Sequence, residues 1–444
     1  MKPIWIISLA VSTLWAADQA AERGPLQLSM KRAVELAVSP EGSAQVQLSG
    51  EAFKQAQSRS AQARAALLPD LSAAFSDQSR TSNLAAMGLH FTVPIPGFQF
   101  PSFVGPYSTM DARVSASQSI FDFASIRRFQ ASKTAVSAAK SDVNAAQEQV
   151  AAHVARAYLA AVKATVDVET AEANITLSQA VQTQAENQKN AGTGTGIEIT
   201  RAKVQLANDR QSLLVAQNAR RSAYLQLLRA MGLRLDTELA LTDKLEFLPV
   251  DPVTLEQAKA LAVKERPDYR AQQERESNAR LAASATKLER LPSVAAFGDY
   301  GANGTGLDNA LPTRTYGISV KLPLFDGGRR DARRVEADSQ YRAEKVRTND
   351  LKEQIDLDVR LALDELRSSA DQVAVAKDGL DLAGNELTQA RRRYEAGVAN
   401  SLEVTDAQTR LERARDNQTA ALYNYNLARI DLAQAMGRVR KSIQ

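Results

Sequence analysis

The chain contains an internal duplication. Residues Ala191 to Gly232 align with Ala396 to Gly437 at a constant offset of 205 without a gap, and 13 of the 42 pairs are identical. This period is far longer than the roughly 20–50 residues of a solenoid repeat. The chain is therefore predicted to contain two similar modules side by side.

Earlier segments repeat in the same order along the chain. The matches are Met30-Lys31-Arg32-Ala33 with Leu255-Glu256-Gln257-Ala258, Leu68-Pro69 with Leu291-Pro292, and Ile120-Phe121-Asp122 with Leu324-Phe325-Asp326. They predict the following organisation: a first repeat over 25–232, a connecting segment over 233–252, a second repeat over 253–437 and a basic C-terminal tail over 438–444.

The N-terminal segment 1–17 is typical of a secretory signal peptide. Lys2 precedes an apolar run from Ile4 to Ala10, and small residues follow at Ala16-Ala17. The chain contains no Cys, so an exported form cannot use disulfides for stability. The chain is expected to leave the cytoplasm.

Two long stretches are predicted to be continuous helices. Residues 124–190 contain neither Pro nor Gly, and residues 329–395 contain no Pro and two Gly, in a sequence rich in Ala, Glu, Gln, Lys and Arg. A helix of this length would extend roughly 100 Å at about 1.5 Å per residue. Because an isolated helix is marginal in water, each must pack along other helices.

The second stretch carries a large–small seam, a heptad of large residues with small residues three positions later. The large members are Val359, Leu366, Val373, Leu380, Leu387 and Tyr394, and the small members are Ala362, Ser369, Ala376, Ala383 and Ala390. Small residues return in register in the first copy, from Ala157 to Ala185. The pattern predicts antiparallel coiled coils with hairpin tips near 191–196 and 396–400.

Each repeat also contains a pair of alternating segments, near 70–80 and 111–121 in the first and near 292–300 and 315–323 in the second. Runs of about 10 residues are long enough for a tilted strand to cross a bilayer. One apolar face fits lipid outside and water inside, although a half-buried soluble sheet has the same pattern. Four strands cannot close a barrel, so a membrane sheet requires several protomers to share one.

Two loops are predicted between these strands. Residues Gly301 to Gly304 have the Asn-Gly chemistry of a turn and are interpreted as the loop of the second pair. The loop of the first pair, Thr81 to Met110, is rich in Pro and Phe. An exposed docking loop, a plug and ordinary surface decoration all remain open for it.

The ordered set of segments resembles the outer-membrane efflux proteins, the TolC-like family. The most specific stretches are Arg393 to Gly397, Leu402 to Ala407 and Leu324 to Gly328, and the resemblance covers essentially the whole chain after the leader. It implies a mainly α fold with a small β part, in which long coiled-coil helices form a periplasmic tunnel and three protomers share a 12-stranded outer-membrane barrel. It also implies a homotrimer that contacts outer-membrane lipid and works with a periplasmic adaptor and an inner-membrane pump.

The resemblance also places candidate gate residues at the periplasmic entrance. They are Glu403 and Asp406, with Glu198 as the first-repeat counterpart of Glu403. Ala399 stands where some relatives have a basic residue, which argues against a tip-locking salt bridge from that position. The tips implied to dock the adaptor contain Gly192, Gly194, Gly397 and Asn400.

Residue chemistry supports the same entrance. Glu403 and Asp406 are three apart and share a helix face, so threefold symmetry would give a ring of six like charges that selects cations. An ordinary acidic first turn, favoured by the helix dipole, explains them equally well. The second repeat has Leu387, Tyr394 and Asp406 where the first has Gln182, Lys189 and Arg201. The two tips are therefore not equivalent, which favours one hairpin of each protomer as the gate and the other as the fixed wall.

Enzymatic chemistry finds little support in the sequence. His90 and His153 are the only histidines, and without cysteines a Cys/His pair or a zinc cluster is excluded. The run Gly192 to Gly196 lacks the Lys-Ser/Thr ending of a phosphate loop. A net charge of +4 that alternates along helices does not indicate nucleic acid. No enzyme activity, cofactor or metal is expected, and the competing interpretation is a soluble periplasmic coiled-coil scaffold or adaptor.

Overall fold

The computed structural model describes residues 25–89, Pro96 and 101–443. The predicted signal peptide and residues 90–95 and 97–100 of the Pro/Phe-rich loop lie outside the described residues. The two ends of that predicted loop, 81–83 and 103–110, are strand residues instead. In chain order the elements are β1 (Leu26–Leu28), α1 (Met30–Val38), α2 (Ala44–Ala65), β2 (Asp70–Asn83), β3 (Phe103–Phe121), α3 (Phe123–Asn190), α4 (Gly196–Met231), β4 (Leu239–Leu241), α5 (Leu255–Glu265), α6 (Pro267–Leu288), β5 (Ser293–Gly304), β6 (Leu311–Lys321), α7 (Arg329–Glu395), α8 (Ser401–Ala435) and α9 (Val439–Ser442). The expected mainly α fold with a small β part is confirmed.

The long helices α3 and α7 end where glycine permits a left-handed residue. Gly192 follows α3 with φ +77° and Gly397 follows α7 with φ +71°. The Thr193 N–H donates to the Gln188 carbonyl at 2.9 Å, and the Val398 N–H donates to the Arg393 carbonyl at 3.0 Å. These bonds satisfy carbonyls that the helix itself leaves unpaired.

The four longer strands form one antiparallel sheet in the order β2-β3-β5-β6. The register aligns the apolar alternations: Ala73 pairs with Val114, Val114 with Tyr300, and Gly298 with Tyr316. Residues on this face are strongly exposed in the single chain, and Tyr316 is 83% exposed. One face of the sheet is therefore apolar and uncovered within the described part of the chain.

The strands are longer than the sequence indicates, and the interpretation of Gly301–Gly304 as a loop was wrong. These residues belong to β5 and pair with β3 from Arg113 to Met110. A Cβ at Gly301 would lie 2.4 Å from the Ala112 carbonyl oxygen. The glycine thus serves a close approach of two strands rather than a turn.

The described chain divides into two compact units. The first contains the described residues of Met1–Ala37, Val154–Phe247 and Val375–Tyr423, and the second contains Val38–His153, Leu248–Ala374 and Asn424–Gln444. In the first unit, β1 and β4 form a parallel pair in which Leu26 is opposite Leu239. The predicted connecting segment thus contains a strand.

The second unit has a core built from α5, α6, α7 and the end of α8. Its buried cluster includes Ala258, Tyr269, Ile355, Val359 and Leu432. The predicted C-terminal tail is instead the short helix α9, in which Val439 is fully buried. Arg440 donates to Gln147 Oε1 at 2.7 Å and holds α9 on α3.

Candidate functional site

The tip of the second hairpin, between α7 and α8, brings two predicted gate residues onto one exposed turn. Asn400 begins α8 as its cap: its Oδ1 accepts the Glu403 backbone N–H at 3.2 Å. Glu403 and Asp406 are both exposed on the first turns of this helix. The cap therefore fixes where α8 begins, and with it the positions of both carboxylates relative to the tip.

Glu403 has a cationic partner that the sequence reasoning missed. Arg393 in the last turn of α7 lies 2.9 Å from Glu403, measured from Nε to Oε1, with the two side chains 57% and 43% exposed. Asp406 makes no ion pair among the described residues. Arg393 precedes the tip glycine Gly397, whereas the basic residue of some relatives would follow it at the position of Ala399. In the sequence, the run Arg391-Arg392-Arg393 at the end of α7 indicates a cationic partner for the tip carboxylates.

At the first tip, Glu198 serves its own helix. Its Oε2 accepts the Thr195 backbone N–H at 3.0 Å. This satisfies an N–H at the start of α4. The neighbouring Gly194 is tightly packed, because a Cβ there would lie 2.9 Å from the Lys189 backbone nitrogen. The side chain of Glu198 is thus partly committed to local structure.

The two tips share one core in the first unit. Its buried members come from four helices: Val181 of α3, Ala202 of α4, Ala383, Leu387, Ala390 and Tyr394 of α7, and Val404, Ala407 and Leu411 of α8. Leu380 packs against this core, while Val359 and Leu366 belong to the core of the second unit. Val373 is buried and Ala376 is half-buried. The large–small seam thus lies on the inward face of α7 in each unit.

Tyr394 lies in this core with an unsatisfied hydroxyl. The residue is only 3% exposed, and its hydroxyl has no hydrogen-bond partner among the described residues. Burial, and then the negative charge of Glu198, raise the pKa of Tyr394. The Glu198 charge therefore reaches the core beside the second tip.

Other chemistry is sparse in the described residues. No group of three or more His, Cys, Asp or Glu side chains among them is arranged to hold a metal ion. No helix in the same part of the chain is long and apolar enough to span a membrane.

Comparison with known proteins places the chain in a family. The profile of the family described as "Outer membrane efflux protein" matches residues 43–233 and 260–438. The chain belongs to the outer membrane efflux protein family, as its sequence pattern predicted. Members of this family are outer-membrane channel proteins rather than enzymes, and this chain is an exit duct of the outer membrane that extends into the periplasm.

Individual similarities are distant in sequence and close in fold. The chain is 23% identical to the alkaline protease secretion protein AprF of Pseudomonas aeruginosa, over 72% of this chain and 68% of the relative. It is 24% identical to the pyoverdine export outer membrane protein OpmQ of Pseudomonas putida, over 86% of this chain and 81% of the relative. The CmeC outer membrane channel of Campylobacter jejuni superposes with a TM-score of 0.79 at 16% identity, over 92% of this chain and 85% of that one.

Proposed function

We propose that three copies of this chain form one duct, with a shared barrel of twelve strands in the outer membrane and the paired helices as its periplasmic wall. The observation that carries this proposal is the four-stranded sheet, whose outer strands β2 and β6 are each paired on one side only among the described residues. An unpaired strand edge is costly in lipid because its backbone groups have no partner. Closure with two further copies removes every edge.

The sheet also has the surface chemistry that the proposal needs. Its apolar face includes Leu71, Phe75, Tyr316 and Ile318, which are 74%, 64%, 83% and 69% exposed in the single chain. Exposed apolar area of this kind marks a surface that another apolar phase covers. On the opposite face, Arg113 pairs with Asp111 at 2.6 Å and with Asp299 at 3.2 Å. That polar face suits a water-filled lumen.

We place the gate at the second tip. Around a threefold axis, Glu403 and Asp406 form an acidic ring that attracts cations and raises the barrier to anions. Tyr394, Ser401 and Gln408 have buried polar atoms with no hydrogen-bond partner among the described residues. Unsatisfied buried polar groups reduce the stability of the packing around them. We therefore propose that the second hairpin is less stably packed than the first and is the one that moves when the gate opens.

The helical tips, with Gly192, Gly194, Gly397 and Asn400, are the proposed docking surface for a periplasmic adaptor that connects the duct to an inner-membrane pump. The relatives support a shared pathway with different cargo. One is named for alkaline protease secretion and the other for pyoverdine export, at nearly equal identity to this chain. We therefore assign cargo selection to the pump rather than to the duct.

The gate is tested by single-channel recording of the purified protein in planar bilayers. Asp406→Asn should lower the preference for cations more than Glu403→Gln, because Arg393 already offsets the charge of Glu403 within each protomer. The double variant should show the largest loss of cation preference and a higher single-channel conductance than the unmodified protein.

Asp378→Asn is the matched control, an exposed carboxylate on α7 away from the tip. Equal ion selectivity in the Asp406→Asn, Asp378→Asn and unmodified proteins would remove the acidic ring from the pore.

A further inference from the structure

A second acidic cluster lies away from the tip, on helices of the first unit. Residues of α3, α4 and α8 line a cavity of about 600 Å³, and four of them are carboxylates. These are Asp167, Asp209, Glu412 and Asp416. Negative side chains from three helices thus converge on one cavity.

Two of these carboxylates are withdrawn from water in different ways. Asp209 is only 6% exposed, and it accepts hydrogen bonds from the Ser178 hydroxyl and from Gln205 Nε2 at 3.0 Å. Glu412 has a buried Oε1 with no hydrogen-bond partner among the described residues. A buried anion without donors is unfavourable, so the cluster is poorly arranged to hold Glu412 in its charged form.

The nearby cations do not fully neutralise the cluster. On α3, Lys163 lies 2.7 Å from Asp167. On α8, Arg415 donates to Asn174 Oδ1 at 2.9 Å. At this level of α7 the charged pair is Glu386 with Arg410, and no described α7 residue lines the cavity.

These surroundings shift the titration of two groups. Burial first, then the charges of Asp209 and Asp416, raise the pKa of Glu412 to about 7, and Arg415 opposes this only in part. Burial and Asp167 raise the pKa of Asp416 against the opposing charge of Lys163.

The cluster is specific to one side of the duplicated fold. At the offset of 205, Asp209 corresponds to Ala414, Glu412 to Ala207 and Asp416 to Gln211. Asp167 corresponds to Gln372. None of these counterparts can titrate, so the duplication itself does not account for the four acids.

We propose that Glu412, Asp209 and Asp416 form a proton-operated latch between α8 and the α3–α4 hairpin. The neutral Glu412 carboxyl adds no charge to the cluster and keeps the contact packed, and its ionisation sets like charges against one another and loosens it. α8 also carries Glu403 and Asp406, so a loosened latch frees the gate helix; this last consequence rests on the proposed function.

The direction with pH follows from the raised pKa. Below the ordinary pKa of a glutamic acid the carboxyl is neutral in both the packed and the loosened state, and the contact is at full strength. As the pH rises toward about 7, Glu412 ionises in the loosened state while it is still protonated in the packed state. The free energy that favours the packed state therefore decreases over this range. The ratio of packed to loosened forms should fall by up to tenfold for each pH unit in this window.

Amide hydrogen exchange on the full detergent-solubilised protein tests the latch, with protection factors corrected for the intrinsic effect of pH. In the unmodified protein, peptides around Asp209 and Glu412 should lose at least tenfold in protection between about pH 5.5 and pH 8.5. In Glu412→Gln they should remain protected at both values. Glu169→Gln, an exposed carboxylate on α3, should behave like the unmodified protein.

A second variant keeps the test independent of any loss of structure in the first. Asp209→Asn removes a neighbouring charge and should move the exchange transition to lower pH. Identical pH profiles in the unmodified protein, Glu412→Gln and Asp209→Asn would overturn the latch. The exchange measurement needs no conducting pore, so a protein that shows these profiles while Asp406→Asn leaves its ion selectivity unchanged contradicts the proposed gate and supports the latch.

Discussion

A single buried tyrosine connects three elements of the first unit. Tyr158 of α3 is fully buried, and its hydroxyl donates to the Leu28 carbonyl of β1 at 2.8 Å. The same hydroxyl accepts the Asp243 backbone N–H at 3.3 Å, just after β4. Burial raises the pKa of Tyr158 to about 12, so the hydroxyl stays neutral and remains a donor at physiological pH.

Tyr158→Phe should destabilise the protein by about 1–2 kcal/mol, because the Asp243 N–H loses its acceptor. The Leu28 carbonyl keeps the Thr242 N–H at 3.1 Å, which limits the loss. Thermal unfolding in detergent measures the effect. Tyr423→Phe is the control, since the Tyr423 hydroxyl makes no hydrogen bond among the described residues. Equal melting temperatures of the Tyr158→Phe and Tyr423→Phe proteins would contradict a stabilising role for the Tyr158 hydroxyl.

At the scale of single residues, the sequence predicted where charged side chains lie better than which other charged side chains they contact. Glu403 and Asp406 follow from spacing and resemblance, and they lie on one exposed turn as spacing requires. The Arg393–Glu403 pair and the acids around Glu412 join residues far apart in sequence or on different helices. Sequence periodicity describes one helix at a time, so it cannot show which charged faces meet.

At the scale of elements, the large–small seam decides how closely the helices approach. Ala383 is 8% exposed and lies in the core with Leu387 and Tyr394. Ala376, one heptad earlier, is only half-buried. Small residues at such positions allow helix axes to come close together, and larger ones force them apart.

Leu substitutions should therefore destabilise the two positions unequally. Ala383→Leu should cost about 1–3 kcal/mol by overpacking, and Ala376→Leu should cost less because its side chain can turn toward solvent. Ala374→Leu, at an exposed position of the same helix, should change little. Melting temperatures measure all three. Equal melting of Ala383→Leu and Ala374→Leu would mean that the seam does not pack as described.

The long helices were predictable and the short elements were not. The absence of Pro and the Gly at each break define α3 and α7 almost to the residue. Strands β1 and β4 have three residues each, too few for an alternation to be visible, and helix α9 has four. Each is held by tertiary contacts rather than by its own pattern. Gly301 and Gly304 hid the end of β5 because glycines contribute no side chain to an alternation.

At the scale of the whole molecule, the single chain leaves features that assembly explains. The sheet has two free edges among the described residues and an apolar face without a cover. Family membership establishes an outer-membrane exit duct. The proposed trimer would extend this to a closed barrel, with the duplicated halves of three chains as the wall.

The native mass of the protein extracted from the outer membrane tests the central claim most directly. Light scattering in detergent, corrected for the bound detergent, should give three chains in each particle. The particle should stay intact when diluted, because dissociation would reopen strand edges. A protein found in the soluble periplasmic fraction as a single chain would contradict the account.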